Sequence, residues 1–76
     1  MTLDKLSPGK TGQIVAVNGL TFLRKRLLDL GFTPGGYVRV RKAAPFGGPI
    51  QFCLRGCEIA LRSSEARMVA VKEAWK

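Results

Sequence analysis

A basic helix with an abrupt end, carried by residues 20–36 (LTFLRKRLLDLGFTPGG), sets the terms for the rest of the chain. Leu20, Leu23, Leu27 and Leu30 recur at the helical period, while Arg24, Lys25 and Arg26 interrupt it together. The spacing therefore predicts a helix over about Leu20 to Leu30 with one buried and one charged face. Gly31 suits the left-handed position that ends a helix, and Phe32 is placed to fold back onto the last turn. Thr33, Pro34 and Gly35 then fit a tight turn, proline fixing its own φ, before an extended run that starts at Tyr37. A chain that leaves its helix this sharply enters a sheet at a set angle.

The flanking segments have the pattern of short strands. Residues 12–18, GQIVAVN, are rich in β-branched residues and stop at Asn18-Gly19, with Asn18 or Thr21 available to cap the helix. From Tyr37 to Ala43, Val38 and Val40 share one side, and Tyr37, Arg39 and Arg41 the other. The loop that follows, APFGGP, surrounds Phe46 with proline and glycine. Residues 50–55 and 57–62 are expected to form a hairpin turning at Arg55-Gly56, which pairs Leu54 with Cys57, Cys53 with Glu58 and Phe52 with Ile59. That register sends Ile50, Phe52, Leu54, Cys57, Ile59 and Leu61 inward, and Gln51, Cys53, Arg55, Glu58, Ala60 and Arg62 outward. A helical turn at residues 63–67, capped by Ser63 or Ser64 with Glu65 near its positive end, leads to a last strand at Met68 to Val71. Leu3 and Leu6, ahead of a turn at Pro8-Gly9, are expected to pin the lead-in. Lys72 to Lys76 read as a tail that contains Trp75.

A chain of 76 residues suits one domain, residues 1–76, with 73–76 as its flexible end. The predicted fold class is mainly β with one inserted helix. About five short strands close most economically into a small SH3-like barrel, since closure removes exposed edges, and a five-stranded OB barrel is the structural alternative.

Composition removes most chemistry. There is no histidine, so the usual triads and the commonest transition-metal ligand are absent together. The two cysteines, in CLRGC, lack further ligands for a zinc site, and the hairpin register turns Cys57 into the core and Cys53 toward solvent. Asp4, Asp29, Glu58, Glu65 and Glu73 are scattered one to an element, so no hard-cation site converges. The sequence predicts no catalytic residue, no metal ligand set and no bound cofactor; a divalent metal, where one binds, belongs between chains or at an interface. No uncharged apolar run approaches the ~18 residues of a membrane span, and the expected compartment is the cytoplasm.

What remains is charge. Thirteen basic and five acidic residues give a formal net charge of +8, which favours an anionic partner. Arg24, Lys25 and Arg26 project from the helix, Arg39 and Arg41 from the second strand, and Arg55 and Arg62 from the hairpin. They form either one positive docking patch or dispersed solvating charge, according to whether helix and outer sheet face adjoin. Leu28, about 80° around the helix from Leu20, is a candidate apolar contact beside them. Phe46 is either an anchor that holds its loop over the barrel end, the favoured reading, or an exposed docking residue.

Four stretches together resemble the FeoA family, the small proteins of bacterial ferrous iron uptake. They are Leu6-Ser7-Pro8-Gly9-Lys10-Thr11-Gly12, the run from Arg26 through Leu30-Gly31-Phe32 to Gly35, Ala44-Pro45-Phe46-Gly47-Gly48-Pro49, and Arg55-Gly56-Cys57-Glu58-Ile59-Ala60-Leu61-Arg62. The resemblance spans nearly the whole chain and implies an SH3-like fold, no enzymatic activity, and a partner in the cytosolic GTP-binding domain of the FeoB membrane iron transporter. A chain opening just before its first strand is expected to be the free-standing accessory, although the module also resembles the SH3-like part of iron-dependent repressors. Nucleic-acid binding by a small basic barrel is the competing expectation. It is weakened because Tyr37 is the one aromatic predicted on the basic outer face. Oligomeric state is not encoded in any of these patterns.

Overall fold

Inward alternation of Val38, Val40, Phe52 and Leu54 builds one face of an antiparallel sheet against which the helix packs. The computed structural model describes residues 1–43 and 48–74. Its strands are β1 (Thr11–Val17), β2 (Tyr37–Ala43), β3 (Ile50–Leu54), β4 (Cys57–Leu61) and β5 (Val69–Ala74), in the spatial order β4-β3-β2-β1-β5. Helix α1 (Thr21–Leu30) is inserted between β1 and β2, and a single turn, α2 (Ser63–Ala66), joins β4 to β5. Register shifts at Val15 in β1 and Arg41 in β2 bend the sheet over its contents. Phe32, Phe52 and Leu27, all fully buried, fill the space between helix and sheet.

The helix stop forms as its sequence dictates. Gly31 adopts φ 110°, its N–H reaching the Leu28 carbonyl at 3.0 Å and the Phe32 N–H the Leu27 carbonyl at 3.1 Å, the Schellman arrangement. The Thr33–Gly36 turn is closed by the Gly36 N–H on the Thr33 carbonyl at 3.0 Å. Ile14 holds this turn to β1 by accepting from Gly35 and donating to Gly36, each at 2.8 Å.

The leucine stripe is narrower than its spacing predicts. Leu27 is buried and Leu23 and Leu28 are half-buried against the core, but Leu20 is 69% and Leu30 38% exposed. Leu20 precedes the helix with extended backbone and so leaves the helical period, while Leu30 lies at the last turn, where the chain veers away. Neither Asn18 nor Thr21 caps α1: its N-cap is Leu20, without a side-chain cap bond. At α2 the cap is likewise neither Ser63 nor Ser64. Arg62 is the N-cap, and its N–H donates to Glu65 Oε1 at 2.9 Å.

The hairpin has the predicted pairing, Leu54 with Cys57, Cys53 with Glu58 and Phe52 with Ile59. Its turn places Arg55 at φ 53° and Gly56 at φ 81°, the type I′ combination that matches strand twist. The thiols exchange their expected roles, however, since Cys57 is exposed and Cys53 half-buried. Cys57 lies on an end strand with no neighbour beyond it, whereas its partner Leu54 packs under Gly31. Residues 72–74, read as tail, are strand instead: β5 continues through Lys72 and Glu73 to Ala74, which pairs with Thr11, while Trp75 and Lys76 lie outside the described residues. Charged side chains on this exposed stretch disguise it as a tail. At the other terminus, Leu3 and Leu6 are buried, with a 3-10 turn at Leu3–Lys5 and Thr2 bridging Ala70.

Candidate docking surface

The solvent face of α1 carries Phe22, Lys25, Arg26 and Asp29, at i, i+3, i+4 and i+7, all exposed. Phe22 is 76% exposed, an unusual position for a phenylalanine, and Leu20 lies just before it. The basic residues of this helix are not equivalent. Arg24 Nε donates to the Val17 carbonyl at 3.0 Å, tying the helix to the end of β1. Arg26 Nη1 forms an ion pair with Glu65 Oε2, and the other oxygen of that carboxylate accepts the Arg62 backbone N–H, so one carboxylate joins the Arg26 side chain to the start of α2. Lys25 has no ion-pair partner among the described residues.

The remaining predicted residues lie elsewhere. Arg39 pairs with Cys53 on one side and Thr11 on the other, so it stands at the far end of β1 from Val17, about 20 Å of strand from the Arg24 contact. Arg41 reaches Glu58 at 3.8 Å across the outer face, and Arg55 occupies the hairpin tip. The basic residues thus form a helix cluster and a separate outer-sheet group. Leu28 is turned partly into the core, and Phe46 lies outside the described residues.

Phe22 and Leu20 are the surface features that reading the leucine period alone misses. The signal for Phe22 is its angle: five residues before Leu27, it sits about 140° around the helix from the buried centre.

Four of the five carboxylates face a lysine or arginine. Asp4 faces Arg67 at 3.8 Å, Glu58 faces Arg41 at 3.8 Å, Glu73 faces Lys10 at 3.6 Å, and Glu65 pairs with Arg26. No group of three or more acidic or cysteine ligands converges among the described residues. No helix among them is long and apolar enough to cross a membrane.

Fold and surface together define a small, strongly bent β domain that presents surface charge and an exposed aromatic. The FeoA domain model matches residues 1–73, and the chain belongs to the FeoA domain family, a non-catalytic family of ferrous iron transport. A fusion of Fe(2+) transport protein A with the Fe(2+) transporter FeoB, from Porphyromonas gingivalis (strain ATCC BAA-308 / W83), is 32% identical over 72 residues, 95% of this chain. The chain spans 8% of that relative's length. FeoA from Stenotrophomonas maltophilia, solved in complex with zinc as a prokaryotic SH3 domain protein, is 33% identical, with a TM-score of 0.85 covering 95% of this chain and 89% of that one. The predicted SH3-like fold is therefore correct. A manganese-dependent transcriptional repressor in complex with manganese shares the fold at a TM-score of 0.88 and 20% identity, over 97% of this chain and 36% of the repressor.

Proposed function

We propose that the chain is a non-enzymatic accessory of bacterial ferrous iron uptake, which binds the cytosolic GTP-binding part of a FeoB-type transporter through the solvent face of α1 and modulates it. The observation that carries this reading is Phe22, 76% exposed, with Lys25 and Arg26 beside it on the same exposed face of the helix. An aromatic anchor with a basic rim suits a partner groove that is apolar at its centre and acidic at its edge. The P. gingivalis relative supports the pairing, because fusion holds a FeoA-type domain and its transporter at high effective concentration on one polypeptide. Ferrous ion is then the transporter's cargo. A divalent metal, where this chain binds one, sits at the interface with the partner or between chains, since the chain's own carboxylates are largely engaged by lysine and arginine.

The test is a binding titration against the isolated GTP-binding domain with Phe22→Ser and Lys25→Glu. Each substitution is expected to weaken binding by about tenfold or more. These positions are better probes than Arg24 or Arg26, which also hold the fold. A second reading, nucleic-acid binding, is favoured by the net charge of +8 and by exposed Tyr37 beside Arg39. Steeply salt-dependent binding of DNA or RNA, with no affinity for the transporter domain, would replace the first reading by the second.

A further inference from the structure

We propose that the free edge of β4 is a second docking site, which takes an extended acidic peptide segment by strand addition. It is independent of the α1 surface. β4 is an end strand of the sheet. The two-residue turn makes Leu54 and Cys57 the first hydrogen-bonded pair, so Cys57, Ile59 and Leu61 direct their backbone groups at β3. The N–H and C=O of Glu58 and Ala60 therefore point away from the sheet, and among the described residues nothing pairs with them.

The two sheet edges differ in a way that bears on this. On β5, Ala70 is bridged by Thr2, the Val71 N–H reaches the Met1 carbonyl at 2.8 Å, and Lys72 and Glu73 charge the rest. Covering and charging an edge in this manner prevents unwanted pairing. β4, CEIAL, carries neither lysine nor proline, and a groove of about 210 Å³ over the β3–β4 ladder is lined by Gln51, Glu58, Ile59 and Ala60. The site is short: the Arg62 N–H and C=O are already taken by Glu65, so added backbone pairs only with Glu58 and Ala60.

Charge selects the occupant. Arg41 engages Glu58, whereas Arg55 before β4 and Arg62 after it have no carboxylate within ion-pair distance among the described residues. The edge is thus net positive, which attracts an acidic strand and opposes a second copy of this +8 chain.

The experiment is amide hydrogen exchange on the full chain, with and without a capped peptide of about seven residues that alternates valine with aspartate. The Glu58 and Ala60 amides are expected to slow by about tenfold or more, with Cys57, Ile59 and Leu61 already protected in the free protein. A peptide with lysine in place of aspartate, and one N-methylated along its pairing edge, are expected to give no protection. Ala60→Pro is expected to abolish the effect while keeping the β3–β4 ladder, because the Ala60 N–H makes no ladder bond. Should that variant fail to fold, the N-methylated peptide alone tests backbone pairing. Absence of protection, or equal protection by the lysine peptide, overturns the proposal. Protection of the same amides that rises with protein concentration and needs no peptide also overturns it, and assigns the edge to a second copy.

Discussion

Arg26 on α1 and Glu65 on α2, 39 residues apart in sequence, form an ion pair that ties the two helices together. The carboxylate works twice, since its other oxygen accepts the Arg62 N–H at 2.9 Å and so starts α2. Its side chain is 14% exposed against 59% for Arg26, which places most of the value on the capping side. Glu65→Ala is therefore expected to cost about 1–2 kcal/mol, in the range of a lost cap. Arg26→Ala, which loses a largely solvated partner, should cost no more than about 1 kcal/mol. Urea denaturation of both variants checks this, and equal losses would mean that the inter-helix pair rather than the cap carries the energy.

Phe22 and Leu27, five residues apart on one helix, should respond oppositely to truncation. Leu27 is fully buried, and Leu27→Ala should cost about 2–5 kcal/mol through lost burial and the cavity left behind. Phe22→Ser removes a larger side chain from solvent and is expected to change stability by no more than about 0.5 kcal/mol. Thermal or denaturant unfolding of the pair decides it. A large loss for Phe22→Ser would make that ring part of the fold and remove it as a docking anchor.

The contrast also shows where the sequence was legible. Turns were, because Gly31, Pro34-Gly35 and Arg55-Gly56 impose backbone geometry through their own chemistry, and the hairpin register follows from the turn. Burial along a short helix was less so. Periodicity places Leu20 and Leu30 on the same stripe as Leu27, but the stripe meets the core over little more than its middle turn, a limit set by tertiary placement. The basic residues were each visible, yet their grouping was not. Nothing local in the sequence says that Arg26 and Arg62 share Glu65 while Arg39 stands at the opposite end of β1.

Gly31→Ala tests the helix stop that joins α1 to the sheet. A Cβ there would lie 3.1 Å from Leu54 Cδ2 on a backbone at φ 110°, which L-residues seldom adopt. The Leu54 methyl can yield a little, but the dihedral cannot relax without breaking the Schellman bonds to Leu27 and Leu28. A loss of about 1–3 kcal/mol is expected by equilibrium unfolding. A neutral result would mean that the chain leaves α1 by another route in solution.

Cys57 should be the faster-reacting thiol. Side-chain alternation alone turns it inward, but an inward position on β4 has no strand beyond it, and exposure follows from that edge location. Cys53 points to the opposite face and is half-buried between Arg39 and Glu58 in the ladder. Under native conditions a maleimide should modify Cys57 first, by about tenfold or more in rate, as thiol access differs between the two sites. Cys57→Ser should shift stability by no more than about 0.5 kcal/mol. Because the two side chains leave opposite faces of the hairpin, oxidation should yield no internal disulfide. Peptide mapping of the labelled protein reads out both points, and preferential modification of Cys53 would return Cys57 to the core and redraw the exposed edge of β4.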